Sequence, residues 1–428
     1  MNGTPQSAGP PFPEASLRRL ASAPWDGLRP LAASLDGPLS RVLAGEPAER
    51  VLDRFLRERP GLDGSGRAAA AEAVFGVGLW RRRLAWHLGG EGAAPRFLLA
   101  SLLRDLAGLP AAAAEALLAL DPGSLPPPRP PPPDLGRFHS LPDWLAATLT
   151  REAGAEAAAL ADALNRPGPV CLRANRLRVT PEALSARLAR EGLRARPGRL
   201  APDALVVETP RPNLYPLPSF REGLFEVQDE GSQLLGEAVG AVPGDEVLDL
   251  CAGAGGKTLQ LASSLRGRGG VLAADPDAGR LGRLRRRAER AGAGRLVEVC
   301  GAAPPAGLVV SRVLVDAPCS ELGTLRRGPD LRFRLDPASF DRFPPLQRAL
   351  LEAASRHLAP GGRLVYATCT LRREENEEVA LGFERDHPEV RREAAAKDPA
   401  LLGADGFLRL WPHRHDTDGF FAAAWERR

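Results

Sequence analysis

Two cysteines in this chain follow short apolar runs that read as β-strands. Cys319 lies in Val315-Asp316-Ala317-Pro318-Cys319-Ser320 after the run 312–315, and Cys369 lies in Ala367-Thr368-Cys369-Thr370 after the run 363–367. A thiol becomes a strong nucleophile once ionised. In an open α/β sheet, ligands bind beyond the carboxyl ends of the strands. A single cysteine is more often a packing residue than a nucleophile, but two of them at ligand-bearing strand ends form an uncommon pair. Between them in type stands Asp316, a carboxylate at the end of the Cys319 strand.

A third strand end, after the run 246–250, continues as Cys251, Ala252, Gly253, Ala254, Gly255, Gly256 and Lys257 before a helical pattern begins. Glycines let a backbone approach a ligand closely. This turn fits neither the dinucleotide fingerprint nor the P-loop spacing, so a nucleoside-containing cofactor and a plain tight turn are both open on the loop alone. Asp275 ends the next strand, 270–274, about 20 residues after the loop, the separation at which a carboxylate can bond ribose hydroxyls. Pro276 follows it, so Asp275 could equally cap a helix.

The elements that must position these groups are legible as alternation. From residue 231 onward, helical patterns separate the apolar runs EVLDLC, GVLAAD, RVLVDA and GRLVYATC, which implies βαβ units and a mostly parallel sheet. Residues 139–230 mix helical and strand patterns: 141–164 as a helix, 170–177 as a strand, 181–191 as a helix and 204–208 as a strand, a small α/β subdomain. Residues 31–125 are Ala- and Leu-rich with helical spacing, as in Val51, Leu52, Phe55 and Leu56, and predict an all-α bundle. The proline run within 126–138 predicts a stiff linker, and residues 1–30 a disordered leader.

Composition bounds the rest. With 428 residues, 44% hydrophobic and 26% charged, the chain predicts two or three soluble domains rather than a membrane protein. The net charge is only +4, and Lys257 and Lys397 are the only lysines among a large majority of arginines. Arginine suits phosphate and base contacts, but a GC-rich genome produces the same bias, so charge names no partner. The five cysteines lack the paired spacing of a zinc site or disulfide framework, so no metal is expected, and a reducing cytosol fits. The N-terminus lacks the apolar run of a signal peptide.

DLCAGAGGKT, VDAPCSELGTLRR and YATCTLRREENEE resemble the motifs of the RNA cytosine-C5 methyltransferase family of Sun or Fmu type. RLWPHRHDTDGFF (409–421) is similar to that family's closing motif and FEVQDEGSQL (225–234) to the segment before its cofactor domain. AAAAEAVFGVGLWRRRLAWHL, near 68–88, is similar to the NusB-type RNA-binding domain of its bacterial ribosomal RNA branch. The resemblance implies a Rossmann-like methyltransferase domain over 231–428, an RRM-like subdomain before it, and a NusB-like bundle over 31–125. It implies S-adenosyl-L-methionine (SAM) as cofactor, held by residues 251–257, Asp275 and Asp316. The implied partner is RNA, above all small-subunit (16S) ribosomal RNA, with no membrane and no metal, and the enzyme is expected to be a cytoplasmic monomer. Within the family Cys369 is the nucleophile that adds to cytosine C6, Cys319 assists proton loss and product release, and Asp316 faces the Watson–Crick edge of the flipped base.

The chain departs from the family at several points. Val299-Cys300-Gly301-Ala302 stands where members carry an acidic residue for the adenine amino group. Glu321, Phe333 and Ala254 replace a common small residue, a tryptophan and a proline. The family implies RNA contacts for the basic stretch 323–334, with Arg326, Arg327, Arg332, Arg334 and Phe333. A tRNA methyltransferase, a DNA cytosine methyltransferase and a non-catalytic rRNA-binding assembly protein are the competing readings.

Overall fold

The computed structural model describes residues 14–209 and 212–428. The chain divides into two units, Met1–Pro167 with Leu325–Pro337, and Gly168–Thr324 with Ala338–Arg428.

The first unit is helical. Its long helix, Gly64–His87, is capped by Asp63, whose side chain accepts from the Gly66 N–H at 2.7 Å. Ala69, Ala73, Val77, Trp80 and Leu84 are buried along one stripe of this helix and Ala70 and Val74 along another. A helix apolar on more than one face must lie inside its bundle, and helices Asp36–Leu43, Ala48–Arg57 and Pro95–Ser101 pack around it through Leu39, Val51, Phe55 and Leu99.

Three expectations need correction here. The leader was expected to be disordered through residue 30, but residues 14–30 are ordered, and 1–13 lie outside the described residues. Leu20, Trp25 and Leu28 are buried in the bundle, and Trp25 Nε1 donates to the Leu20 carbonyl at 2.8 Å. Sparse apolar anchors outweigh a proline- and glycine-rich composition. The proline run is not a spacer between domains but lies within the first unit. Prolines carry no N–H but keep their carbonyls, and Trp86 Nε1 donates to the Pro130 carbonyl at 2.9 Å while Arg104 donates to that of Pro126. Finally, the single helix expected over 141–164 is interrupted by Gly154 at φ +53°, giving Asp143–Ala153 and Ala157–Leu164, both within the first unit.

The second unit carries two sheets. In the small one, strands β1 (Cys171–Ala174), β2 (Ala195–Pro197), β3 (Ala204–Val207) and β4 (Phe225–Val227) pair antiparallel in the order β2-β3-β1-β4. Helix Pro181–Arg190, capped by Thr180, covers it with Leu184 and Leu188 against Leu172, Leu205 and Phe225.

The large sheet is built from β5 (Glu246–Asp249), β6 (Gly270–Ala274), β7 (Val297–Gly301), β8 (Val310–Asp316), β9 (Leu358–Thr368), β10 (Val390–Glu393), β11 (Leu408–Leu410) and β12 (Phe420–Arg427). Their order is β10-β12-β9-β8-β5-β6-β7, with β11 on β12. Strands β5 to β9 run parallel, whereas β12 pairs antiparallel with β9, β10 and β11. The central strands read as continuous apolar runs because both faces are covered. Val247, Leu314 and Val365 meet helices Gly256–Ser264 and Ala278–Ala291 on one face, while Leu248, Val313 and Leu364 meet helices Phe343–Ser355 and Glu377–Asp386 on the other. The chain leaves β5 toward β6 on one side and returns as β8 on the other. That reversal opens a crevice beyond the carboxyl ends of β5 and β8. Among the described residues no helix is long and apolar enough to cross a membrane.

Candidate active site

Every strand end that the sequence marks as chemical opens on this crevice. Beyond β5, Ala252 N–H donates to the Ala274 carbonyl at 3.0 Å, and Gly255 adopts φ +89° as it hands the chain to helix Gly256–Ser264. Asp275 ends β6 and is buried. Its Oδ2 accepts from the Gly253 N–H and its Oδ1 from the Asp277 N–H, at 2.9 and 2.8 Å. The carboxylate thus both braces the loop and caps the following turn, while each oxygen keeps a lone pair for a further donor. Cys251 is half-buried, and burial pushes its thiol far above the ordinary range.

Asp316 ends β8 opposite Ala367 of β9. Lys257 Nζ donates to its Oδ2 at 2.7 Å. Burial works against the ammonium, but the charge and hydrogen bond of Asp316 outweigh it and raise the lysine above its usual value, with a smaller contribution from Cys369. Lys257 is therefore a fixed positive charge near the Cys369 thiol.

The two thiols meet: Cys319 Sγ and Cys369 Sγ are 3.4 Å apart. A set of short-range bonds zips their loops together. Ser320 Oγ and Thr370 Oγ1 are 2.7 Å apart, and the Ser320 N–H donates to Glu375 Oε2 at 2.9 Å. The Gly323 N–H donates to the Cys369 carbonyl at 3.0 Å, and the Gly419 N–H to the Gly323 carbonyl at 2.9 Å. The two glycines cross at backbone contact: a Cβ on Gly323 would stand 2.1 Å from the Gly419 carbonyl oxygen, and one on Gly419 2.5 Å from Leu371. The closing motif 409–421 thereby buttresses the thiol pair.

The Cys369 thiol is held well above its ordinary range, first by its hydrogen bond with Cys319 and then by burial. Alkylation proceeds through the thiolate, whose fraction falls tenfold for each unit by which the pKa exceeds the pH. Cys319→Ala removes the leading cause of the upward shift. The midpoint of the pH profile for Cys369 alkylation by iodoacetamide, followed by peptide mass spectrometry, is therefore expected to fall in that variant. A midpoint that stays or rises contradicts the geometry.

The sequence reading did not single out Asp249, Ser320, Thr370 or Glu375. Asp249 is buried with Thr258 Oγ1 on its Oδ2 at 2.7 Å, and burial pushes it up to about 7. Its position at the strand end before the glycine loop was the available signal. For Glu375 the signal was the carboxylate-rich run after the cysteine. The basic stretch behaves differently from expectation. Arg332 is fully buried and donates to Asn165 Oδ1 and the Leu164 carbonyl at 2.6 and 3.0 Å, and Phe333 lies 3.5 Å beneath the Arg81 guanidinium. Arg332 belongs to the interior of the helical unit, which removes it from RNA contact, while Phe333 is half-buried under Arg81; Arg326 is also buried.

A parallel sheet with a glycine-rich loop after its first strand and a carboxylate after its second, beside an adjacent thiol pair, defines a Rossmann-like methyltransferase. The chain belongs to the 16S rRNA methyltransferase RsmB/F family: that family's model matches residues 238–426, and the RsmF/B-like ferredoxin-like domain matches 141–213. It is 35% identical over 301 residues to a probable ribosomal RNA small subunit methyltransferase B of Synechocystis sp., a stretch covering 68% of this chain and 67% of that one. It is likewise 35% identical over 292 residues to the ribosomal RNA small subunit methyltransferase B of Sodalis glossinidius, covering 67% of this chain and 65% of that one. The crystal structure of PH0851 shares the fold, with a TM-score of 0.73 at 24% identity over 95% of this chain and 99% of that chain. The expected family and fold class are borne out.

Proposed function

We propose that this protein transfers the methyl group of SAM to carbon 5 of a cytosine in small-subunit ribosomal RNA, with Cys369 as nucleophile and Cys319 serving proton loss and release. The 3.4 Å contact between the two thiols, with Lys257 and Asp316 beside them, carries the reading. A thiol pair at one strand-end crevice matches a reaction that needs one sulfur on C6 and a second group near C5.

The residues present fit the cofactor. Cβ positions built on Gly253 and Gly256 meet nothing within 4 Å, so open space lies over the loop, and Asp275 retains acceptor capacity for hydroxyls. Residues 251–257 and Asp275 would hold the nucleoside. SAM supplies an electrophilic methyl group on a sulfonium.

Cytosine C5 is a poor nucleophile. Cys369 loses its proton to solvent, and its thiolate bonds to C6 while the C5–C6 electron pair moves to C4–C5 and the displaced C4–N3 pair takes up a proton at N3, which leaves an enamine nucleophilic at C5. Lys257 lies where its charge favours the thiolate. Asp316 accepts from the N4 amino group and orients the extruded base. After methyl transfer the C5 proton leaves with the help of Cys319, the C5–C6 double bond re-forms, and the Cys369–C6 bond breaks. The helical unit and the small antiparallel sheet would each offer a surface to RNA. The site is complete within one chain, so a monomer suffices, and a ribosomal substrate puts the enzyme in the cytoplasm.

Tritiated SAM offered with unmodified small-subunit rRNA, with tRNA and with matched DNA tests this reading. Label in 5-methylcytosine of the rRNA alone is the expected result. Label confined to tRNA or DNA moves the enzyme to another substrate class, and no label on any nucleic acid leaves an RNA-binding protein.

A further inference from the structure

Two carbonyls of the cofactor loop, those of Ala254 and Gly256, are each claimed by an arginine. Arg287 Nη1 donates to the Ala254 carbonyl at 2.6 Å, and Arg173 Nη1 donates to the Gly256 carbonyl at 2.9 Å. Arg173 is on β1 and is fully buried, with Gln228 as its second partner. Directly across the strand pair from it stands Glu226 of β4. That buried carboxylate receives Arg287 Nη2 at 2.9 Å on Oε2 and Arg290 Nη2 at 2.5 Å on Oε1. The small sheet therefore reaches the loop twice, through Arg173 directly and through Glu226 and Arg287.

Arg287 sits one turn after Leu284 on helix Ala278–Ala291. Leu284 closes over the loop from the same helix face: a Cβ on Gly255 would lie 2.7 Å from Leu284 Cγ. With Gly253 N–H bonded to Asp275, the loop is tied at consecutive residues, by a carboxylate, a guanidinium, a leucine and a second guanidinium. A trans peptide is planar, so a carbonyl held on one side turns the next residue's N–H to the other. The bond from Arg173 to the Gly256 carbonyl thus aims the Lys257 N–H, one of the unpaired donors of a helix N-terminus, away from the small sheet.

We propose that Arg287 is a positioning residue for SAM binding: through the Ala254 carbonyl it holds the glycine loop in the shape that receives the adenosyl moiety, with Glu226 of the small sheet as its anchor. This rests on the SAM-dependent reading above. It makes the small sheet part of the cofactor machinery as well as a surface for RNA.

Arg290 provides a matched control. It shares Glu226 with Arg287 and contacts the Phe220 carbonyl and ring, but makes no bond to the loop. In either single variant Glu226 keeps one arginine partner, so both are expected to lose a similar, small amount of thermal stability. Equilibrium dialysis of the full-length protein against labelled SAM, without RNA, reads the difference. Arg287→Ala is expected to raise the Kd for SAM about tenfold, the effect of one charge-assisted hydrogen bond, while Arg290→Ala stays within about twofold. In steady state the KM for SAM should rise while kcat at saturating SAM and the KM for RNA hold. If Arg287→Ala is insoluble, Arg287→Gln takes its place with the same expectation. Unchanged SAM affinity, or an equal loss in Arg290→Ala, overturns the proposal. Failure of the unaltered protein to bind SAM would instead overturn the functional reading on which it stands.

Discussion

Cys369→Ala is expected to lower the rate of methyl transfer to RNA by at least about 10⁴-fold, because removing the nucleophile of a covalent mechanism removes the pathway rather than tuning it. The thermal midpoint should barely move. Cys369 is only part-buried, and trading one sulfur for a hydrogen at such a site costs about 1 kcal/mol or less. SAM affinity should also hold, since the loop, Asp275 and Lys257 are untouched. Transfer of tritium to RNA, measured beside a melting curve and a SAM titration, separates this outcome from simple misfolding. A variant that retains a tenth of the activity would show that another group attacks the base.

Cys319→Ala is expected to fail at a different point. Its Cys369 is a readier nucleophile, because the hydrogen bond that most raises that thiol is gone. Addition to C6 and methyl transfer should therefore proceed once. On the proposed mechanism, what is lost is the group that assists removal of the C5 proton, so the Cys369–C6 bond persists and turnover stops after a stoichiometric burst. General-base assistance is worth about 10²- to 10⁴-fold, so release should slow by that factor. The time course of label transfer distinguishes the cases: a burst equal to the enzyme concentration followed by a plateau is expected, whereas linear multiple turnover would remove Cys319 from the release step.

The two variants separate only because the loops bearing the thiols are fixed independently of the sulfur contact. Ser320 meets Thr370 and Glu375, and Gly323 meets the carbonyl of residue 369. Gln347 Nε2 adds a bond to the Pro318 carbonyl at 2.9 Å. Either sulfur can be removed without freeing its loop.

What the sequence discloses follows from how local each signal is. The glycine loop and the two cysteines are legible because strand, turn and reactive residue are contiguous, and an apolar run ending in such residues locates itself at a strand's carboxyl end. The bonds that make these residues into a site are not contiguous. Lys257 reaches Asp316 across 59 residues and Ser320 reaches Glu375 across 55, so only the strand order β5-β8-β9 brings them together. Strand β7 leaves only a weak pattern of its own because Val297–Gly301 is only half apolar, and β12 leaves none because FFAAAWER has an alanine run that favours helix as readily. Composition misleads where a few residues decide. Leu20, Trp25 and Leu28 order a segment whose composition reads as disordered, and Trp86 and Arg104 dock a proline run that reads as a spacer. Arg332 misleads in the opposite sense: an arginine in a basic stretch suggests a surface for phosphate, yet its fork is spent on Asn165 and Leu164 inside the helical unit.

The most direct test of the account is covalent capture. The unaltered protein, Cys369→Ala and Cys319→Ala are each incubated with SAM and unmodified small-subunit rRNA, then separated under denaturing conditions. A stable protein–RNA adduct with Cys319→Ala alone, mapped by mass spectrometry to Cys369 and carrying a methylated cytosine, is the predicted result. An adduct that forms instead with Cys369→Ala, joined through Cys319, would reverse the roles assigned to the two thiols and contradict the account.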